Sequence, residues 1–395
     1  MTDLVLANAT LRDGARVDVA IAGARIAAIR PSGAAAPRAA QRIDLDGALL
    51  VPGFVDGHIH LDKCLLGAPF QPHRRGDTVA ERILREKEIR RELRYPVEER
   101  ATRLIDRVVG HGTAALRSHV DIDTEVGLAG LHALLRVRET ARALIDIQIV
   151  AFPQSGIAAD PGVADLLDQA IRDGADLVGG LDPAGIDNDV NGHLDVIFGV
   201  AGRHGVGVDI HLHDPGPLGC FEIRQIAGRT AALGLGGRVA VSHAYALGAV
   251  DDVEFGRTAE ALARAGVAIM TNGPGPVSMP PIRRLLAAGV VVFSGSDNIR
   301  DAWSPFGNGD MLDRAQVIGY RQGFAADADL ELVFDLGNAA SARVLGRADH
   351  GLSVGAAADL VAIRAASIPE AVAAPPPRAL VVKRGRVVAR DGTLL

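Results

Sequence analysis

The sequence predicts an α/β protein: a (β/α)8 barrel carrying a small β-sandwich built from both chain ends. Three observations predict it. The chain has 395 residues, more than one ordinary core needs. Between about residues 54 and 346, eight apolar strand candidates alternate with helical stretches, the texture of a closed parallel barrel. The two ends, 1–53 and 347–395, read instead as short strands punctuated by turns.

At the N-terminal end the strand candidates are Asp3–Ala7, Val17–Ile21 and Arg25–Ile29, with Gly23 and Gly33 between and after them. The turn Asp44-Leu45-Asp46-Gly47 precedes Ala48–Gly53. At the other end Asp359–Ile363 reads as a strand, and Leu380–Val388 as a hairpin turning near Arg384-Gly385. Ala374-Pro375-Pro376-Pro377 is a stiff connector within that unit.

In the middle region the eight barrel strands are the segment ending at His60, Ala114–Val120, Ile145–Phe152, Leu177–Leu181, Val206–His213, Val239–His243, Val267–Met270 and Val290–Ser294. Val163–Asp173 and Asp252–Ala265 show the apolar spacing near 3.6 that marks helices. A doubly wound sheet is the competing architecture, but no Gly-x-Gly-x-x-Gly follows the first strand of this region.

Composition narrows function. A net charge of −6, with no Lys/Arg stripe free of acidic residues, argues against a nucleic-acid partner. The run Arg82–Arg100 mixes both signs and reads as a solvated helix face. No uncharged apolar run is long enough for a membrane span, and Asp3 stands where a secretory leader needs a basic segment. Two cysteines, Cys64 and Cys220, give no disulfide framework and suit a reduced, cytoplasmic protein.

The chemistry centres on Phe54-Val55-Asp56-Gly57-His58-Ile59-His60. Residues two apart on a strand face the same side, so His58 and His60 present two imidazoles together, a start on a divalent metal site. In a barrel, functional groups sit at the C-terminal strand ends. There the chain offers His211 at the end of the fifth strand, His243 at the end of the sixth and Asp297 after the eighth. Imidazoles and a carboxylate with an open position make a hydrolytic metal site, in which the metal lowers the pKa of its water and a nearby acid/base moves the proton. Lys63 follows closely enough to reach the pocket or to pair with Asp62, and His119 and Asp121 end the second strand as further pocket candidates.

Pro52–His60 resembles the opening of the metal-dependent amidohydrolase superfamily. Ile149-Val150-Ala151-Phe152-Pro153-Gln154-Ser155-Gly156-Ile157 is similar, more narrowly, to bacterial cytosine deaminase and its relatives, the enzyme hydrolysing N-isopropylammelide among them. Asp209-Ile210-His211, Ser242-His243, Gly295-Ser296-Asp297-Asn298 and Trp303-Ser304-Pro305-Phe306-Gly307 continue the match in order over nearly the whole chain. The resemblance implies one divalent metal, zinc or iron, on His58, His60, His211 and Asp297, because no lysine follows the fourth strand to bridge a second ion. It implies His243 as proton shuttle, Asp297 as ligand and base, Gln154 as reader of a heterocycle's edge and Trp303 as a pocket wall. It also favours a homo-oligomer.

The chain departs from cytosine deaminase at three places. His211-Leu212-His213-Asp214 replaces His-x-x-Glu, so Asp214 or His213 must protonate the leaving nitrogen. Asn298 stands for a second aspartate and exchanges an acceptor-only group for an amide that donates and accepts. The loop Asn272–Pro281 is shorter. These changes point to a small N-heterocycle other than cytosine, losing ammonia or an amine. A cyclic amide is the alternative substrate, and a non-catalytic binding protein the alternative class.

Overall fold

The computed structural model describes residues 2–34, 39–74 and 76–395. Eight parallel strands form the barrel in chain order: Phe54–Ile59, Thr113–Asp121, Asp146–Phe152, Leu177–Leu181, Gly207–Leu212, Val239–His243, Val267–Thr271 and Val292–Ser294. Parallel strands covered on both faces need apolar residues at nearly every position, and here most strand residues are buried. The helices Val163–Asp173 and Asp252–Ala265 occupy the spans that their periodicity predicts. The first and last strands meet through a parallel bridge between Ile59 and Asp297, with the Asp297 amide donating to the His58 carbonyl at 2.7 Å. Two glycines permit that seam. A Cβ on Gly57 would fall 2.4 Å from the Phe293 ring, and one on Gly295 would lie 2.5 Å from the His58 backbone.

Both chain ends contribute to a single nine-stranded mixed sheet. Its N-terminal strands are Thr2–Thr10, Arg16–Ala22, Arg25–Pro31, Ala39–Asp44 and Leu49–Pro52, and its C-terminal strands Leu360–Ile363, Arg378–Lys383, Arg386–Arg390 and Thr393–Leu394. The two halves join where Leu49–Pro52 runs antiparallel to Leu360–Ile363, Val51 opposite Val361. Leu4, Leu6, Val19, Ile21, Leu50, Leu360 and Leu380 give this sheet a core of its own. The predicted hairpin turns at Arg384-Gly385, both with positive φ (47° and 77°), the two-residue turn whose twist matches the flanking strands. Buried Lys383 ties sheet to barrel, its Nζ donating to the Ala114 carbonyl (2.9 Å), Asp146 (2.7 Å) and Asp359 (2.7 Å).

The mixed-sign run at 82–100 corrects an expectation. It is divided between two helices, Val79–Glu92 and Val97–Gly110, the first opened by a capping box between Thr78 and Glu81. Glu86 and Arg100 point inward and are buried, because each finds polar partners beneath the helices. Charge alternation alone does not tell a solvated face from one that carries an inward ion pair.

Candidate active site

The strand ends converge on a cavity of about 1020 Å³ at the C-terminal mouth of the barrel. His60, Lys63, Gln154, His211, His213, His243, Asp297, Asn298 and Trp303 all line it, so the structure assembles nearly every residue singled out from sequence. His58 lies beneath, fully buried.

Four potential ligand atoms face one another there. His60 Nε2 lies 3.3 Å from His58 Nε2, 3.4 Å from His211 Nε2 and 3.4 Å from Asp297 Oδ1, and His58 Nε2 lies 3.6 Å from the same oxygen. A tetrahedral ion with bonds of roughly 2.0–2.1 Å needs ligand atoms about 3.3 Å apart, so these residues fit a divalent metal. Burial, reinforced by neighbouring imidazoles, holds His58 and His211 well below the usual histidine range, leaving neutral rings with lone pairs to donate. Burial works to raise the Asp297 carboxyl, but the His243 imidazole, a hydrogen bond with His60 and the His58 imidazole outweigh it and hold Asp297 ionised.

A hydrogen-bonded chain orients His58, the deepest of these imidazoles. His58 Nδ1 pairs with Ser242 Oγ at 2.9 Å; Ser242 donates to Asp209 Oδ1 at 2.8 Å, and Arg117 donates to Asp209 Oδ2 at 2.8 Å. Such outer contacts fix a ligand ring and its tautomer. Behind it His119 lies 4.0 Å from the His58 ring with neither ring nitrogen hydrogen-bonded, and is not part of the cavity wall.

His243, His213 and Asp182 sit on the other side. His243 Nδ1 lies 4.0 Å from Asp297 Oδ2, and burial pushes its imidazole down to about 3. His213 stacks on His243 at 4.6 Å. Asp182, at the end of the fourth strand, accepts from the His213 backbone amide and lies 2.9 Å from its Nδ1. Burial acts to lower His213, but the Asp182 charge and hydrogen bond overcome it and favour the imidazolium. Asp214 is placed differently from its neighbour. Its carboxylate accepts from the Gly185 amide at 2.9 Å, away from the cavity wall.

Lys63 belongs to a buried polar cluster rather than to a simple pair with Asp62. Its Nζ reaches Glu86 (3.2 Å), Asp121 (2.9 Å) and the Gln154 carbonyl oxygen. Gln154 Nε2 donates to Glu86 and Asp121, each at 3.1 Å, and Trp303 Nε1 donates to Glu86. Burial acts to raise Glu86, yet the Lys63 charge and the indole N–H hold it down to about 2. The cluster therefore pins Gln154 and Trp303 in one orientation at the cavity wall. Asn298 is set similarly, its amide donating to Asp301 at 2.7 Å. Both cysteines are buried, Cys64 facing the Arg100 carbonyl at 3.2 Å, and neither joins the metal-ligand group.

Sequence reasoning passed over Glu86, Asp182, Tyr245 and Asn272, which position or line the site. Asp182 carried a usable signal, since it directly follows the fourth strand. Glu86 carried none, because its helix lies outside the barrel's strand periodicity.

Residues 41–389 match the model of an amidohydrolase family. The chain is 33% identical to N-isopropylammelide isopropyl amidohydrolase of Pseudomonas sp. (strain ADP), over 100% of this chain and 98% of the relative. The crystal structure of N-isopropylammelide isopropylaminohydrolase from Burkholderia multivorans ATCC 17616 superposes with a TM-score of 0.96 at 41% identity, covering 100% of both chains. 5-Methylcytosine deaminase from Klebsiella pneumoniae, liganded with 5-fluorocytosine, gives 0.89 at 30% identity over 98% and 97% of the two chains. The chain belongs to the amidohydrolase family.

Proposed function

We propose that this protein hydrolyses an exocyclic C–N bond of an N-heterocycle, using one divalent ion, zinc or iron, held by His58, His60, His211 and Asp297. The observation that carries the reading is the meeting of those four residues, His60 Nε2 lying within 3.4 Å of a possible ligand atom of each of the other three, beside a paired His213 and His243. Bound there, the ion supplies Lewis-acid activation of water and of the ring. The net reaction adds water across the bond: the ring carbon gains the oxygen with one hydrogen, kept as a hydroxyl or as a ring N–H beside an oxo group, and the nitrogen takes the other hydrogen and leaves as ammonia or an amine.

The chain's own groups divide the proton traffic. His243 and Asp297 face each other and are placed to accept the proton of the attacking water. His213, held as a donor by Asp182, delivers a proton to the departing nitrogen. We assign that role to His213 rather than Asp214, because His213 lines the cavity and the Asp214 carboxylate is engaged at Gly185. Gln154, Trp303, Asn298 and Lys63 form the wall against which the ring is held.

An alkylamine is favoured over ammonia as leaving group. Two relatives matched along their length are named for the isopropyl-substituted triazine N-isopropylammelide, and the cavity is far larger than a bare pyrimidine requires. Elemental analysis of the purified protein, alongside a screen for ammonia and amine release from pyrimidines, triazines and their N-alkyl forms, tests the reading. About one metal per chain with amine release supports it. Absence of metal after reconstitution with zinc, iron or manganese overturns it.

A further inference from the structure

Tyr245 lines the same cavity and has no role in the proton transfers above. It opens a short 3-10 turn, Tyr245–Gly248, directly after the sixth strand. His243 and Ala244 before it both have positive φ (72° and 45°), a costly pair of left-handed residues that turns the chain sharply and carries the phenol back over the site. Its ring centroid lies 5.5 Å from those of both His213 and His243.

Among the described residues the Tyr245 hydroxyl makes no hydrogen bond, and it is not sealed from the cavity. The opposite wall differs. Gln154 and Trp303 already spend their donors on Glu86 and Asp121, and Asn298 gives one of its two to Asp301. Burial, with the charges of Asp297 and Asp182, pushes the phenol upward, so it is a donor at any working pH. A neutral O–H with no partner among the described residues, beside the groups proposed to handle the proton, is built to meet an acceptor on the ligand.

We infer that Tyr245 is a specificity residue: its hydroxyl donates to an exocyclic carbonyl oxygen of the bound ring, so the enzyme selects oxo-substituted N-heterocycles over rings bearing only hydrogen there. The inference rests on the proposed C–N hydrolysis and adds the substituent that the pocket reads. A site arranged to hydrogen-bond a substrate group rejects the analogue lacking it far more strongly than an apolar pocket rejects a missing methylene.

The test compares wild type and Tyr245→Phe, both metal-loaded, on matched rings: cytosine against 4-aminopyrimidine, and N-isopropylammelide against 2-(isopropylamino)-1,3,5-triazine. Members of each pair differ in their oxo groups. The expected result is a fall in kcat/KM of about 10–100-fold for the oxo member with the hydrogen-bearing member nearly unchanged, so that the selectivity ratio collapses. A merely structural phenol lowers both members alike. Equal losses, or no loss, with an active wild type overturn the inference and leave the proposed reaction standing. A metal-loaded wild type inert on every ring overturns the proposed reaction itself, and the inference with it.

Discussion

Asn272 donates from Nδ2 to Asp297 Oδ2 at 2.6 Å, on the oxygen that also faces His243, while Asp297 Oδ1 faces His58 and His60. One carboxylate thereby presents its two oxygens to different groups, and Asn272 fixes which oxygen meets which. Asn272→Ala frees the carboxylate to rotate about its own axis. A hydrogen bond to a charged group contributes about 1.5–3 kcal/mol, so kcat is expected to fall ~10–100-fold with metal content retained. Steady-state kinetics with elemental analysis checks this; unchanged kcat removes Asn272 from the machinery.

Ser242 acts one layer further out, through His58. Ser242→Ala removes the bond to His58 Nδ1 and the link to Asp209. Metal affinity is expected to weaken about 10–100-fold, read by competition with a chelator, while substrate KM measured at saturating metal stays close to wild type. Retained affinity shows that barrel packing alone holds the ring.

Asp182 governs the pH dependence on the proposed mechanism. Its charge raises His213, which must be protonated to serve as donor. Activity is therefore present below the His213 pKa and lost as pH rises through it. In Asp182→Asn the raising charge is gone, the His213 pKa drops, and the alkaline limb of kcat moves to lower pH. A uniform loss across pH, with no displacement of that limb, assigns the donor role elsewhere.

Stability has its own test at the junction of sheet and barrel. Lys383→Met strands the Asp146 and Asp359 carboxylates, which share its buried ammonium. Removing one partner from a buried ion pair costs about 3–5 kcal/mol, and denaturant unfolding is expected to show a loss of that order. A loss under about 1 kcal/mol indicates that Arg347, which also reaches both carboxylates, suffices to neutralise them.

The eight barrel strands, the hairpin at Arg384-Gly385 and the ligand candidates His58, His60, His211 and Asp297 were legible in the linear sequence. Each obeys a local rule: apolar runs bounded by turns, alternation along a strand, functional groups at strand ends. The left-handed backbone at Asp182 (φ 36°), His243 (72°) and Asp297 (61°) was not legible. None of these is a glycine, and only closure of the barrel holds residues in so unfavourable a conformation at the rim. Tertiary structure also separates His213 from Asp214. They are adjacent in sequence, so spacing treats them alike, yet one meets Asp182 at the cavity wall and the other meets the Gly185 amide outside it. Glu86 was hidden for the same kind of reason. Its partners Lys63, Gln154 and Trp303 lie 23, 68 and 217 residues away along the chain. A periodicity records which face of an element is apolar, but the partner of a buried charge is chosen only when the elements pack.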